Sequence, residues 1–356
     1  MNAPQAKLVP TDAGMQHKVR IYGTLGPACR EESTLVQMFR EGMTGIRLNL
    51  SHTTLAEAAG LIETYHRAAR ACGITPELLI DMQGPELRVG TLGAPIPLGV
   101  GEALAPEAIP FPEEVREALA GAAPGQELLL DDGKLLLALE RGEAGARLRV
   151  LRGGLLESRK SVALPGCEIR TPALTERDRA QLRRARDFGV TAVMQPFVRG
   201  PEDLRELRRA LAEAGCPELR ILAKIENRAG LERLAELIPC CDEIVVARGD
   251  LGNAMELWEL PAAQKRIAAA CRAAGRDFMV VTQMLDSMTR RPVPTRAEVC
   301  DVFNAVLDGA ASVMVTGETA AGEYPVQVIR YLANTAREAE TYLKREALTR
   351  PDIIEN

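Results

Sequence analysis

The sequence contains few aromatic residues, few histidines and no cysteine pair with the C-x-x-C spacing. Phe, Trp and Tyr make up 3% of the 356 residues, which leaves little material for stacking on nucleic-acid bases. None of the eight cysteines forms a C-x-x-C pair, so neither a zinc site nor a disulfide framework is indicated. The only histidines are His17, His52 and His66, and this count argues against histidine-centred metal sites and Ser-His triads.

Charge and hydrophobicity argue against two classes of partner. The net charge is −5 and no basic cluster occurs, which argues against nucleic-acid binding. No apolar run is long enough to span a membrane, and the polar residues 1–16 lack the apolar core of a signal peptide. We expect residues 1–16 to be a disordered leader. The scattered single cysteines are typical of a reduced, cytoplasmic protein.

Short apolar runs alternate with amphipathic helical patterns along most of the chain. Strands are predicted at Lys18–Tyr22, Gly45–Asn49, Leu78–Asp81, Ala192–Gln195, Arg220–Lys224, Glu243–Ala247, Phe278–Thr282 and Ser312–Thr316. Helices are predicted at Ser33–Glu41, Thr54–Ala71, Thr175–Phe188, Pro201–Gly215, Ala229–Leu237, Pro261–Gly275, Arg296–Leu307 and Pro325–Lys344. Eight strand–helix repeats predict an α/β fold, a closed (β/α)8 TIM barrel. A doubly wound open sheet is the alternative.

One segment interrupts this alternation after the third strand. Residues 89–164 begin with Gly- and Pro-rich turns and continue with strand-like runs at Glu127–Leu130, Lys134–Leu139 and Ala146–Leu151. This pattern predicts a small all-β domain inserted into the barrel as a lid over its active site. The barrel domain is then expected at residues 17–88 and 165–345, with a tail at 346–356.

Charged residues follow two of the predicted strands. Lys224 and Glu226 end the fifth strand, and Asp250 follows the sixth. The carboxyl ends of barrel strands form the functional face, and two carboxylates beside a lysine suit Mg²⁺ and an anionic substrate oxygen. A surface ion pair is the alternative. Neither the G-x-G-x-x-G nor the G-x-x-x-x-G-K-[ST] nucleotide fingerprint is present.

Several separated motifs resemble the pyruvate kinase family, in the family's order and over about residues 17–340. They are Gly42–His52 (GMTGIRLNLSH), Gly84–Arg88 (GPELR), Asp131–Gly133 (DDG), Ala223–Asn227 (AKIEN), Ala247–Gly252 (ARGDLG), Thr282–Met288 (TQMLDSM), Pro294–Glu298 (PTRAE) and Gly317–Ala320 (GETA). The resemblance implies a (β/α)8 barrel with an inserted β-rich lid. It also implies phosphoryl transfer from phosphoenolpyruvate to ADP, giving pyruvate and ATP, the last step of glycolysis.

The resemblance assigns roles position by position. Glu226 and Asp250 are expected to bind Mg²⁺ or Mn²⁺, and Lys224 to face the transferring phosphoryl group. Arg47 is expected to clamp that group with its planar guanidinium. Catalysis of this kind needs mainly positioning and charge neutralisation.

Further positions match the family's substrate, cation and nucleotide sites. The substrate carboxylate is expected on the backbone N–H groups of Gly249 and Asp250 and on the hydroxyl of Thr282, which also lies near the enolate carbon. The K⁺ site is expected at Asn49, Ser51, Asp81 and the carbonyl of Met82, and Glu86 is the residue type that accompanies K⁺ dependence in the family. Nucleotide contacts are expected from Thr24, Pro27, His52, Arg88 and Lys160.

Structural interpretations compete at some of these positions. His52 could be an ordinary helix-start histidine, and Ser51 could cap a helix that begins at Thr54. Arg248 is expected to order its loop rather than touch substrate, and Trp258 is expected to pack.

Departures from the family pattern leave the activity open. Pro196 stands where the family has Ser, which removes a hydroxyl and an N–H. The insert is also shorter than typical, and the family's C-terminal domain is expected to be absent. We therefore expect a homo-oligomer, a dimer rather than a tetramer, that does not respond to fructose bisphosphate. The alternatives are a catalytically weak, binding or regulatory paralogue and another enolate-forming barrel enzyme that acts on a related oxo-acid.

Overall fold

The computed structural model describes residues 18–349, except 132, 143, 144, 168 and 170. The predicted leader lies outside this range, as do Asp132 of the DDG motif and the end of the predicted tail. Among the described residues, no helix combines the length and apolar character needed to cross a membrane.

Eight parallel strands close into a barrel. They are β1 (Arg20–Thr24), β2 (Gly45–Asn49), β3 (Glu77–Asp81), β11 (Ala192–Gln195), β12 (Arg220–Ile225), β13 (Glu243–Ala247), β14 (Asp277–Val281) and β15 (Ser312–Met314). Their order around the barrel is β1-β15-β14-β13-β12-β11-β3-β2. The predicted (β/α)8 barrel is therefore confirmed, and the open sheet is wrong. The first strand lies two residues further along the chain than expected.

Two apolar layers hold the barrel together. Alternate residues of each strand point inward, and the packed interior consists of Tyr22, Leu79, Ala192, Met194, Leu222, Val245, Ala247, Met279, Val281 and Met314. The other side chains of the strands pack against the surrounding helices. At Gly45 a Cβ would lie 2.5 Å from Cε1 of Tyr22, so only glycine lets this tyrosine fill the interior.

The helices of the barrel follow the predicted pattern with shifted ends. They are α1 (Glu32–Arg40), α2 (Ala59–Ala71), α4 (Glu176–Leu182), α5 (Pro201–Glu213), α6 (Arg228–Glu232), α7 (Leu234–Leu237), α8 (Arg248–Asn253), α9 (Leu260–Ala273), α10 (Arg296–Leu307), α11 (Gly317–Ala320) and α12 (Pro325–Thr349).

Four helix predictions need correction. The predicted helix 175–188 stops as an α-helix at Leu182, and the predicted helix 229–237 breaks at Arg233. The last helix continues to Thr349, into the predicted tail. The helix expected from Thr54 begins only at Ala59: Thr54 and Glu57 bond reciprocally as at a helix start, but the residues up to Ala58 form only a turn. Since the cap residue of α2 is Ala58, the interpretation of Ser51 as a helix cap is wrong.

The segment after β3 forms its own small sheets. The strands are β4 (Ile96–Leu98), β5 (Ala103–Leu104), β6 (Glu127–Leu130), β7 (Leu135–Gly142), β8 (Gly145–Arg152), β9 (Gly154–Leu156) and β10 (Val162–Ala163). A five-stranded sheet has the order β10-β6-β7-β8-β5, and a two-stranded sheet pairs β4 with β9. The β-rich insert after β3 is confirmed, but the expectation that it is all-β is wrong, because helix α3 (Glu113–Gly121) packs Val115 and Leu119 into its core.

Candidate active site

Three charged side chains meet at the carboxyl end of the barrel. Asp81 and Lys224 lie two residues beyond Leu79 and Leu222, which face the barrel interior, so the two-residue period directs them to the barrel mouth. Asp81 Oδ2 accepts hydrogen bonds from Arg47 Nε at 2.9 Å and Nη2 at 2.6 Å. Lys224 Nζ lies 3.2 Å from the same oxygen. One buried carboxylate therefore holds both cations that the sequence predicted for the phosphoryl group.

Burial and charge oppose one another in this cluster. Burial disfavours the ionised Asp81, but the adjacent Lys224 and Arg47 outweigh it and lower its pKa. Burial likewise disfavours the charged Lys224, yet Asp81 and Glu226 outweigh it and raise the lysine pKa. Both groups are therefore ionised at neutral pH, and the lysine presents a permanent positive charge at the barrel mouth.

Glu226 lies beside Lys224, buried and close to two other carboxylates. Its side chain is 1% exposed, and Oε1 lies 2.8 Å from Lys224 Nζ. Oε2 accepts a 2.7 Å hydrogen bond from the backbone N–H of Phe197, whose φ of +53° is unusual for a residue other than glycine. Because burial and the nearby Asp250 and Asp81 carboxylates outweigh the attraction of Lys224, the pKa of Glu226 is raised.

The surroundings of Glu226 fit a bound divalent cation. Apart from the Lys224 ammonium at 2.8 Å, the buried Oε1 has no donor beside it, and the negative charge of Asp250 is close enough to help raise the pKa of Glu226. A cation between the two carboxylates would offset their repulsion and give Oε1 a further partner. No group of three or more His, Cys, Asp or Glu that could hold a metal occurs within residues 18–349 outside the gaps. Mg²⁺ is usually bound by one or two protein carboxylates, and water and substrate oxygens complete its coordination shell.

Thr282 and Gly249 face one another at the ends of β14 and β13. A Cβ on Gly249 would lie 3.1 Å from Cγ2 of Thr282, which shows how closely the two segments approach. Arg248 does not point to an open site: Nε and Nη2 donate to the Thr282 carbonyl, and Nη1 pairs with Asp301. The expectation that Arg248 orders its loop agrees with these contacts.

The residues predicted for K⁺ lie together at the ends of β2 and β3. Asn49 is paired with Asp81 in the strand register, and its Oδ1 accepts the N–H of Ser51 at 3.1 Å. Met82 donates its N–H to Met194. The carboxylate of Asp81 is already shared by Arg47 and Lys224.

The residues predicted for the nucleotide fall into two groups. On the barrel, Thr24 is buried and its hydroxyl donates to the Val315 carbonyl, whereas Pro27 and His52 are exposed. At the insert, Arg88 pairs with Glu86 at 2.7 Å, and Lys160 pairs with Asp131 at 3.1 Å and Glu157 at 3.2 Å. Arg88 and Lys160 lie on adjacent antiparallel segments.

A cavity of about 490 Å³ opens between the insert and the barrel beside the two carboxylates. Glu226 and Asp250 form part of its lining, and Leu129 and Val162 of the insert and Phe197 of the barrel form apolar parts of its wall. The volume is that of a typical small-molecule site.

Sequence reasoning missed three contributions to this site. Asp81 was expected to bind K⁺, and its contact with Lys224 depends on strand order, which no local pattern reveals. Phe197 supports Glu226 through a backbone N–H in a left-handed conformation, for which the sequence gives no signal. Asp301, one turn into α10, anchors Arg248. Trp258 was expected to pack, but it is 78% exposed and that expectation is wrong.

Known proteins resemble the chain over nearly its whole length. Residues 16–329 match the family model described as the barrel domain of pyruvate kinase. Pyruvate kinase from Geobacillus stearothermophilus is 36% identical over 355 residues, covering 96% of this chain and 59% of the relative. The enzyme so named from Methylorubrum extorquens is 39% identical over 336 residues, covering 91% and 69%. That from Aeropyrum pernix is 35% identical, covering 95% and 74%. The chain thus spans less than two thirds of the length of the Geobacillus relative.

Proposed function

The chain belongs to the pyruvate kinase family, and from this membership we propose that it transfers the phosphoryl group of phosphoenolpyruvate to ADP. The observation that carries the proposal is a charge cluster at the barrel mouth, in which Asp81 contacts Arg47 and Lys224 and Glu226 contacts Lys224. Phosphoryl transfer needs fixed positive charge and orientation more than covalent chemistry, and this cluster supplies both.

Arg47 and Lys224 would hold the phosphoryl group. Arg47 uses Nε and Nη2 on Asp81, and its Nη1 lies 3.5 Å from the Thr24 hydroxyl. Nη1 is therefore the guanidinium nitrogen with the weakest internal contact and the one best able to bind a phosphoryl oxygen. Because Asp81 fixes the guanidinium, the side chain loses little further entropy when it binds.

Glu226 and Asp250 would hold the divalent cation. When bound, the cation would supply Lewis-acid neutralisation of substrate phosphoryl and carboxylate oxygens. The chain's own contribution is to fix Glu226 through the Phe197 N–H. Pro196 does not disturb this contact, since its ring packs against Gly84 instead.

The reaction then requires one bond exchange and one proton transfer. A terminal phosphate oxygen of ADP attacks phosphorus, the bond from phosphorus to the enol oxygen breaks, and its electron pair stays on that oxygen. The Lys224 ammonium would stabilise this charge. A proton is then added to the methylene carbon, and the Thr282 hydroxyl at the end of β14 is the candidate proton-relay group. The products are ATP and pyruvate.

Phosphorus NMR tests this proposal directly. With Mg²⁺ and K⁺ present, we expect the phosphoenolpyruvate resonance to disappear as the γ-phosphate resonance of ATP grows, only when ADP is added. Release of inorganic phosphate without ADP, or transfer to no nucleotide, would contradict the proposed function.

A further inference from the structure

Thr282 has a backbone conformation that needs external support. Its φ is +80°, and that of Gln283 is +54°. A β-branched residue in the left-handed region is a genuine outlier. Such strain persists only where the surrounding structure fixes it, and it concentrates at functional sites. The strained residue here is the one whose hydroxyl we place at the proton-transfer step.

Arg248 provides this support with two nitrogens on one atom. Its Nε and Nη2 donate to the Thr282 carbonyl at 3.1 and 2.7 Å. The same Nη2 lies 3.0 Å from Sδ of Met284. A planar guanidinium that grips one carbonyl with two donors fixes its direction, which a lysine ammonium cannot reproduce.

Asp301 fixes the guanidinium from the opposite side. Nη1 of Arg248 lies 2.8 Å from Oδ1 and 2.7 Å from Oδ2 of Asp301. All three nitrogens of Arg248 are thus engaged within the protein, and its side chain is 12% exposed. The arginine therefore acts by holding protein groups in place rather than by binding substrate.

Helix α10 gives this arrangement a rigid base. One turn before Asp301, Glu298 accepts hydrogen bonds from the backbone N–H and the hydroxyl of Ser287 at 2.7 and 2.6 Å. Helix α10 therefore contacts the loop after β14 in two ways. Glu298 binds Ser287 directly, and Asp301 binds Arg248, which in turn binds the Thr282 carbonyl. Groups held by packed helices keep their geometry better than groups on free loops.

Arg248 also joins two parts of the proposed site. It immediately precedes Gly249 and Asp250, whose N–H groups we expect to face the substrate carboxylate. A Cβ on Gly249 would lie 3.1 Å from Cγ2 of Thr282, so the two segments are in close contact at this point.

We propose that Arg248 and Asp301 are a positioning pair that sets the direction of the Thr282 hydroxyl for proton transfer to the enol carbon. The proposal rests on the proposed function. Loss of the pair would turn the hydroxyl away while leaving Arg47, Lys224 and the metal carboxylates in place. Proton transfer should suffer more than substrate binding, because the substrate carboxylate keeps the backbone N–H groups of Gly249 and Asp250 that we expect it to bind.

The test compares Arg248→Lys and Asp301→Asn with wild type. We expect kcat to fall about 10²-fold, as for a 1 Å misplacement of a reacting group, with the KM for phosphoenolpyruvate changed little. Exchange of pyruvate methyl protons in D₂O, followed by proton NMR, should slow by a similar factor. Arg266→Lys, an exposed arginine on α9, is the matched control and should behave as wild type.

Other outcomes would contradict either the positioning role of the pair or the proposed function. If wild type forms pyruvate and both variants exchange methyl protons at the wild-type rate, the positioning role is wrong. If activity falls only in proportion to the unfolded fraction seen by circular dichroism, the pair is structural alone. Should Arg248→Lys fail to fold, the near-isosteric Asp301→Asn decides. If wild type forms no pyruvate, the proposed function itself fails. The positioning role alone fails when wild type forms pyruvate and the two variants behave as wild type does.

Discussion

Asp81 contacts Lys224 across the barrel mouth, with 3.2 Å between Oδ2 and Nζ, although the two residues stand on strands that β11 separates. The same carboxylate binds Arg47. A single anion therefore contacts two nearly buried cations, and Glu226 supplies a second carboxylate to Lys224. This relationship makes Asp81 a positioning residue for the site in addition to its expected contact with K⁺.

Asp81→Asn should destabilise the protein and reduce turnover. Removing one partner from a buried charge cluster costs about 3 kcal/mol, because Arg47 then loses its carboxylate and Lys224 keeps only Glu226. Urea denaturation measures this loss. The matched control is Asp277→Asn, since Asp277 forms a surface pair with Arg20 and is 54% exposed. The control should lose less than about 1 kcal/mol. Equal losses in the free energy of unfolding of the two variants would show that Asp81 stabilises the protein no more than a surface carboxylate does.

The fold was predictable because its signals are repetitive. Eight apolar strands alternate with amphipathic helices, and each repeat supports the same architecture. Helix α3 was missed because it lies in a Gly- and Pro-rich region and buries only Val115 and Leu119. The start of α2 was misplaced because Thr54 and Glu57 bond as at a helix start but form only a turn.

The candidate site was predictable only in part. Residues at strand ends could be expected on one rim, since the carboxyl ends of parallel strands meet there. Their partners could not, because the contact of Asp81 with Lys224 depends on strand order and the contact of Phe197 with Glu226 on a rare backbone conformation. Both arise from the assembled barrel rather than from local sequence.

Glu226→Gln should weaken binding of the divalent cation. Loss of an outer-shell partner already lowers metal affinity about 10- to 100-fold, so loss of a direct carboxylate ligand should cost at least about as much. Titration with Mn²⁺ followed by electron paramagnetic resonance measures the affinity, and EDTA should abolish phosphoryl transfer until Mg²⁺ is restored. Glu259→Gln removes an exposed carboxylate that pairs with Arg228 and should bind Mn²⁺ as wild type does. Unchanged affinity in Glu226→Gln would place the metal elsewhere.

We expect K⁺ to activate the enzyme. Asn49, Ser51 and Asp81 lie together at the ends of β2 and β3 and offer oxygen ligands. Rates measured in K⁺ should exceed those in tetramethylammonium, which is too large for such a site. Glu86→Lys should reduce the difference, because an ammonium would replace the cation's charge. Equal rates of wild type in the two salts would refute this expectation.

The stabilising effect of Glu298 should disappear in acid. Burial opposes its ionisation, but hydrogen bonds from Ser287 and Thr295 outweigh this and lower its pKa below the ordinary 4.5. The unfolded chain therefore binds the proton more readily than the folded protein does. The stabilisation is complete above 4.5 and is lost as the pH falls through the folded-state pKa.

Urea denaturation of wild type and Glu298→Gln checks this sign. The difference in their free energies of unfolding should be largest near pH 7 and should shrink below 4.5. A difference that stays constant, or grows, as the pH falls would contradict the account of this carboxylate.

The most direct test of the central claim is pyruvate formation from phosphoenolpyruvate and ADP, with Mg²⁺ and K⁺, by wild type and Lys224→Met side by side. We expect wild type to form pyruvate and Lys224→Met to lose about 10³-fold in turnover, because the charge that stabilises the enol oxygen is gone. Lys344→Met, at an exposed lysine on α12, should retain wild-type turnover. The absence of pyruvate with wild type, or near-full turnover by Lys224→Met, would contradict the claim.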